Sequence, residues 1–214
     1  TYSDVADRQM AILGGAKMQH LRQPKLGLEW DKVVDATEMS RVRKFYVSDK
    51  SGLNINGVRN FARRMKRKHG LKVLVIDYIG LMKGSNPRLD KRFQIEEITQ
   101  GFKMMAKELD IAVIALAQLN RDADANALDI PGLKNLADSA SMERDADIIG
   151  FLHRPIVVNP DLGDNFKNFA VLRIAKNRQG TPGDVNFHYR GEVMGFTDWP
   201  GESPIRQAKN SATQ

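Results

Sequence analysis

The sequence predicts an α/β domain: a largely parallel β-sheet covered by helices and ending in a β-hairpin. Three observations carry this reading. Residues 71–76 and 111–117 are short, nearly continuous apolar runs, the pattern of strands buried on both faces. Residues 55–69 and 95–109 instead place apolar side chains at helical spacing. Strand and helix patterns then alternate along the chain, as crossover connections between parallel strands require.

Residues 1–43 are polar and helical in pattern, with Ser3 and Asp4 as a start, Gly14-Gly15 as a stop and Pro24 as a further break. They are expected to form a helical lead-in to the same domain. A short strand is expected at 44–48, followed by a turn at 49–54. The helix at 55–69 sets Ile55, Val58, Ala62 and Met65 on one stripe and Arg59, Arg63, Lys66 and Arg67 on the other side; Gly70 ends it. That basic side is expected to be a solvated face. After the strand at 71–76, residues 83–92 are rich in Gly, Ser, Asn and Pro and form a loop. The next helix is the most regular, with Ile95, Ile98, Phe102, Met105 and Leu109 stepping 3, 4, 3, 4. The strand at 111–117 leads to a polar loop at 120–135. Strands are expected at 147–152 and 169–175, and a hairpin at 185–189 and 193–196 around Arg190-Gly191. The core is expected to span 44–199. The tail at 200–214 is nearly devoid of apolar residues and is expected to be disordered.

Composition narrows the function. The 214 residues include 33 Lys and Arg against 26 Asp and Glu, a net charge of +7, which favours an acidic polymer such as nucleic acid as partner. There is no cysteine, which excludes disulfides, thiolate zinc sites and a cysteine nucleophile. His20, His69, His153 and His188 do not share metal-ligand spacing. No apolar run approaches the roughly 20 residues that span a bilayer, and no signal peptide is recognisable.

In open α/β sheets ligands gather at the carboxyl ends of the strands. Those ends are Asp77, Gln118, His153-Arg154 and Lys176-Asn177-Arg178. A carboxylate suits Mg²⁺ held through water, an amide orients water or senses a phosphate, and cations neutralise phosphate charge. Together they point to phosphate chemistry.

These residues also carry a resemblance. Leu74-Val75-Ile76-Asp77-Tyr78-Ile79-Gly80-Leu81-Met82 is similar to the Walker B segment of DnaB-type hexameric replicative DNA helicases. Ala117-Gln118-Leu119-Asn120-Arg121 resembles that family's next motif, and Met142-Glu143-Arg144-Asp145-Ala146-Asp147 the segment leading into the following strand. Ile174-Ala175-Lys176-Asn177-Arg178-Gln179-Gly180 resembles the stretch that carries the basic finger. Order and spacing agree, closely over 44–198 and loosely over 1–43. The resemblance implies a RecA-like fold and the C-terminal motor portion of an ATP- and Mg²⁺-dependent helicase, translocating on single-stranded DNA to unwind duplex at the replication fork. It implies a ring of identical subunits, a hexamer, with primase and a helicase loader as partners, in the cytoplasm of a bacterial or phage-infected cell and with no membrane. By the same resemblance Asp77 holds the metal, Gln118 couples the γ-phosphate to the DNA loops, and Lys176 and Arg178 reach a neighbour's ATP. Arg8 matches loosely an arginine near the nucleotide. The segments 84–92 and 134–141 match the loops facing the central channel, with Arg88, Lys91, Arg92, Lys134, Asn135, Ala137, Asp138 and Ser139 as DNA contacts.

Two departures qualify the match. The sequence contains no Gly-Lys dipeptide, so no G-x-x-x-x-G-K-[ST] phosphate loop, and no counterpart of the family's general-base glutamate. The 214 residues alone are therefore expected neither to bind nor to hydrolyse ATP, and to be poorly stable. In the second channel segment, Ala137, Asp138, Ser139 and Ala140 stand where the family has Arg, Glu, Ser and Gly. The alternative is a non-catalytic RecA-like module that binds DNA or completes a partner subunit's ATP site.

Overall fold

A computed structural model of the chain describes residues 2–27, 29–86, 88–120, 126–136 and 140–211. The helices are α1 (Tyr2–Gly14), α2 (Met18–Arg22), α3 (Trp30–Arg41), α4 (Ile55–His69), α5 (Lys91–Leu109), α6 (Ala140–Asp145), α7 (Pro155–Val158) and α8 (Pro204–Ser211). The strands are β1 (Val73–Ile76), β2 (Ala112–Ala115), β3 (Ile148–His153), β4 (Phe169–Asn177), β5 (Gly183–Arg190) and β6 (Gly195–Asp198). Chain contacts divide it into two compact units: Thr1–Asp49 with Leu152–Leu172 and Asp184–Gln214, and Lys50–Phe151 with Arg173–Gly183. Residues 1–43 thus group with the terminal hairpin.

In the second unit, α4 starts where the Asn54 side chain accepts from the Gly57 N–H at 2.9 Å and stops at Gly70, whose φ of +68° favours glycine. Its stripe of Ile55, Val58 and Ala62 packs with Ile95, Ile98, Phe102 and Met105 of α5 and Leu74 of β1. The two helices touch where α5 has no side chain: a Cβ on Gly101 would lie 2.3 Å from Ile55 Cγ1. β1 and β2 pair in parallel, in register Val73↔Ala112 through Ile76↔Ala115. Only one face of this pair is covered among the described residues. Leu74 is buried, whereas Val75 and Ile114 are 55% and 50% exposed. The expectation of burial on both faces is corrected accordingly: a continuous apolar run does not say which elements cover it.

In the first unit, α1 and α3 approach closely through Ala11, Gly14 and Ala36; a Cβ on Gly14 would meet the Lys32 carbonyl at 2.2 Å. A second cluster surrounds the fully buried Phe169, with Phe166 and Trp199 edge-on at 6.4 and 5.0 Å. Ile205 of α8 is buried, so 204–211, expected to be disordered, is a helix with an anchored first turn. Residues 44–48, expected as a strand, are assigned to none.

The remaining strands form a sheet in the order β3-β4-β5-β6. The Arg178 N–H, just after β4, bonds the Asp147 carbonyl just before β3, and the Tyr189 N–H near the end of β5 bonds Asn168 just before β4. Both neighbours of β4 therefore run antiparallel to it, and β5 pairs antiparallel with β6 as the expected hairpin. Among the described strands, parallel pairing is confined to β1 and β2, with one further isolated parallel bridge between Asn54 and Lys83.

Candidate functional site

All the expected site residues that the structure describes, except Arg8 and the His153-Arg154 pair, fall in the second unit. Arg8 lies exposed on α1 of the other unit. Ala137, Asp138, Ser139 and Arg121 lie outside the described residues.

Asp77 and Gln118 leave the carboxyl ends of β1 and β2. The two strands stay zipped past their last residues, with the Leu116 N–H on the Ile76 carbonyl and the Ile79 N–H on the Leu116 carbonyl, both at 2.9 Å. That zipper brings Asp77, Tyr78, Leu116, Ala117 and Gln118 around one open cleft of about 300 Å³. The Asp77–Tyr78 peptide is cis, and Tyr78 packs over Gly80. Asp77 and Gln118 are exposed, and no group of three or more His, Asp or Glu side chains gathers among the described residues. One solvated carboxylate in an open cleft fits Mg²⁺, which keeps most of its waters and takes one or two protein carboxylates beside phosphate oxygens.

From the same strand end the chain runs through 79–81 into the loop 84–90. Gln94 closes this loop: its Oε1 accepts from the buried Gly84 N–H at 3.0 Å and its Nε2 donates to the Leu89 carbonyl at 2.8 Å. Glu97 accepts the Ser85 N–H at 3.0 Å, and Asp90 caps α5 by accepting from Arg92 N–H at 2.8 Å. Arg88, Lys91 and Arg92 are exposed around it, and the Lys91 ammonium reaches the Gly80 carbonyl at 3.2 Å. Lys134 is also exposed. Asn135 is not: it is 7% exposed and its Oδ1 accepts from Gly132 N–H at 3.0 Å, so it builds its loop rather than facing a ligand. A polar residue in a polar segment reads as solvent-facing; the turn that consumes it is invisible without coordinates.

The basic ends of β3 and β4 diverge in use. His153 is buried and Arg154 lies over the Tyr189 ring, 3.9 Å from its centroid, so these two serve packing in the first unit. Lys176 and Arg178 are drawn to the last turn of α6. The Lys176 ammonium donates to the Glu143 carbonyl, and Arg178 Nη2 donates to the Arg144 carbonyl at 2.6 Å. These are cations on helix C-terminal carbonyls, which the aligned peptide dipoles favour. Arg178 Nη1 also stands 3.5 Å from Asp147 Oδ1, whose carboxylate receives Lys103 at 2.5 Å. The Lys103 hydrogen bond, then the charges of Lys103, Arg178 and Lys176, hold the Asp147 carboxyl below its ordinary range.

Sequence reading assigns no role to Gln94, Glu97 or Lys103, and places Asp147 only in the segment leading into β3. Lys103 had a faint signal: it follows Glu96 and Thr99 along one face of α5 at spacings of 3 and 4.

Comparison with known proteins adds the family. The model described as DnaB-like helicase C terminal domain matches residues 1–198. The replicative DNA helicase DnaB of Rickettsia felis is 35% identical over 208 residues, 90% of this chain and 40% of that protein. That of Geobacillus stearothermophilus is 34% identical over 193 residues, 89% of this chain and 42% of that protein. The chain thus spans about two fifths of the length of these curated relatives. A solved structure described as an ATPase domain superposes with a TM-score of 0.86 at 29% identity, covering 94% of this chain and 72% of that one. Another, of a DnaB-like replicative helicase and its interactions with primase, gives 0.83 at 30% identity, covering 91% and 47%. The match in sequence runs through the strand ends that build the cleft, and the match in fold is RecA-like throughout; the chain belongs to the DnaB-like helicase C-terminal domain family.

Proposed function

We propose that this chain is the motor portion of a replicative DNA helicase that couples ATP hydrolysis to movement along single-stranded DNA. The observation that carries the reading is the shared strand end of β1: Asp77 opens the cleft with Gln118, and a few residues later the same segment becomes the cation-rimmed loop at 84–92. A change in the cleft therefore has a short covalent and hydrogen-bonded path to the loop.

In this reading Asp77 would hold Mg²⁺ through water, and the ion would supply positive charge for the phosphates of ATP. Gln118 sits beside it to sense the γ-phosphate; for Arg8 the proposal rests on the family resemblance alone. Arg88, Lys91, Arg92 and Lys134 hold DNA phosphates, a contact that is strong, salt-sensitive and indifferent to sequence; Ala137, Asp138 and Ser139 would add backbone N–H donors. Lys176 and Arg178 exchange their α6 carbonyls for the phosphates of a neighbouring subunit, so the working form is a ring of identical subunits, a hexamer. A primase partner, named for one solved relative, and a loader belong to the same proposal. Among the described residues no helix is long and apolar enough to cross a membrane; we place the protein's work in the cytoplasm.

The test is Asp77→Asn in a complete helicase chain that includes a phosphate loop. ATP turnover should fall by a factor of a hundred or more (~10², from lost transition-state charge stabilisation), while nucleotide-independent DNA binding persists. Normal turnover would refute the assignment. The 214 residues alone, mixed with Mg-ATP in a calorimeter, should give no binding heat. Tight binding there would mean that another phosphate site exists.

A further inference from the structure

α5 presents Glu96, Thr99 and Lys103 in one row, and each holds one residue between the last turn of α6 and the start of β3. Arg144 Nη2 pairs with Glu96 at 2.7 Å, the Thr99 hydroxyl donates to Asp145 at 2.7 Å, and Lys103 pairs with Asp147 at 2.5 Å. Asp147 in turn holds Arg178 twice: its carbonyl accepts the Arg178 N–H at 2.9 Å, and its carboxylate faces the guanidinium at 3.5 Å. The other hold on Arg178 is the carbonyl of Arg144, itself fixed by Glu96. The carboxylate contact on this guanidinium thus leads directly back to Lys103 on α5, and the carbonyl contact comes from a residue whose side chain Glu96 of α5 holds.

We infer that Lys103 and Asp147 are positioning residues for Arg178, setting where its guanidinium stands before it meets phosphate. The inference rests on the proposed reading that Arg178 acts on a neighbour's nucleotide. The pairs are half-exposed: the side chain of Asp147 is 59% and that of Arg178 46% accessible. Such pairs add little to stability. That suits a seat from which a cation must depart more than a brace. The Arg144 carbonyl and the Asp147 carboxylate restrict the long side chain to one sector, so less orientational freedom is lost when it engages. Lys103 keeps the Asp147 carboxylate from closing fully on Arg178 by sharing it, which leaves the guanidinium free to exchange partners.

The experiment uses the complete ring-forming helicase with single-stranded DNA, and steady-state ATP turnover as the readout. Lys103→Met and Asp147→Asn should each lower kcat about tenfold, with KM for ATP within about twofold, because misplacement is felt in the transition state. Lys103→Arg, which keeps the cation, should retain most of kcat. In an Arg178→Ala background neither substitution should lower kcat further. Unchanged kcat in both single variants, or an equal further loss without Arg178, would overturn the positioning role. If Arg178→Ala itself has normal turnover, the reading beneath it falls too, an outcome separate from a defect confined to Lys103 and Asp147.

Discussion

Replacing Gln94 with alanine should loosen the loop at 84–90 specifically. The side chain makes two bonds, accepting from Gly84 N–H at 3.0 Å and donating to the Leu89 carbonyl at 2.8 Å. Gly84 is buried, so its N–H loses a partner without gaining water. A buried donor left unmade costs about 1–3 kcal/mol, and the more exposed bond to Leu89 adds about 0.5–1.5 kcal/mol. The sum, about 1.5–4.5 kcal/mol, acts on the closed form of the loop, and each ~1.4 kcal/mol is tenfold in an equilibrium constant. Amide exchange at Gly84 should therefore accelerate by roughly tenfold or more, up to the limit set by global unfolding. Exchange in α4 should change little. Gln94→Glu keeps an acceptor for Gly84 and loses only the donor, so its effect should be the smaller. The assay is hydrogen exchange by mass spectrometry or NMR on the purified chain. Unchanged exchange at Gly84 in Gln94→Ala would refute the idea that this amide closes the loop.

Gly101→Ala should destabilise the second unit by about 1–3 kcal/mol, because its Cβ would lie 2.3 Å from Ile55; a denaturant midpoint at or above that of the wild type would contradict the packing. Reversing Arg88, Lys91, Arg92 and Lys134 together should reduce the salt slope of single-strand binding by the assembled ring by about 3, from ~0.7 per phosphate contact; an unchanged slope places the DNA elsewhere. The Asp147 carboxyl is held low, so its contribution is fully present above about pH 4, its ordinary value, and is lost only as pH falls through the lower folded value. A carbon-detected NMR titration should find that midpoint below the usual range, and Lys103→Met should raise it; no rise would deny the Lys103 bond its leading part.

The fold was legible where one period decided the outcome. Ile55, Val58, Ala62 and Met65 form the buried stripe of α4 with its bounds as the spacing gives them; Ile95 through Met105 form that of α5, which already starts at Lys91, within the segment expected as a loop. Apart from the strand expected at 44–48, strand positions were legible, but strand direction was not: apolar content is alike in parallel and antiparallel partners, and the Lys-Asn-Arg turn that reverses β4 into β5 reads equally as the end of a crossover. Residues 204–211 misled because one buried isoleucine and a buried Pro204 suffice to anchor a short helix. At the site, Asp77 and Gln118 could be found because strand ends converge by topology. The seat of Arg178 could not, since Lys103, Arg144 and Asp147 come from separate elements and are common surface residues taken singly. Asn135 and His153 were drawn inward by turns and packing that leave no mark in composition.

The central claim is that a cation at the end of β4 completes a neighbour's nucleotide site. It is tested most directly by mixing two inactive helicases. Arg178→Ala should bind nucleotide almost normally yet lose about 10³-fold in turnover, the scale of an arginine that stabilises phosphoryl transfer. Asp77→Asn should be inactive at its own site while still offering Arg178 to the next. Rings assembled from both should recover ATP turnover well above the sum of the separate proteins, because some interfaces then pair an intact Asp77 with an intact Arg178. Normal turnover by Arg178→Ala, or mixed rings that never exceed that sum, would contradict the account.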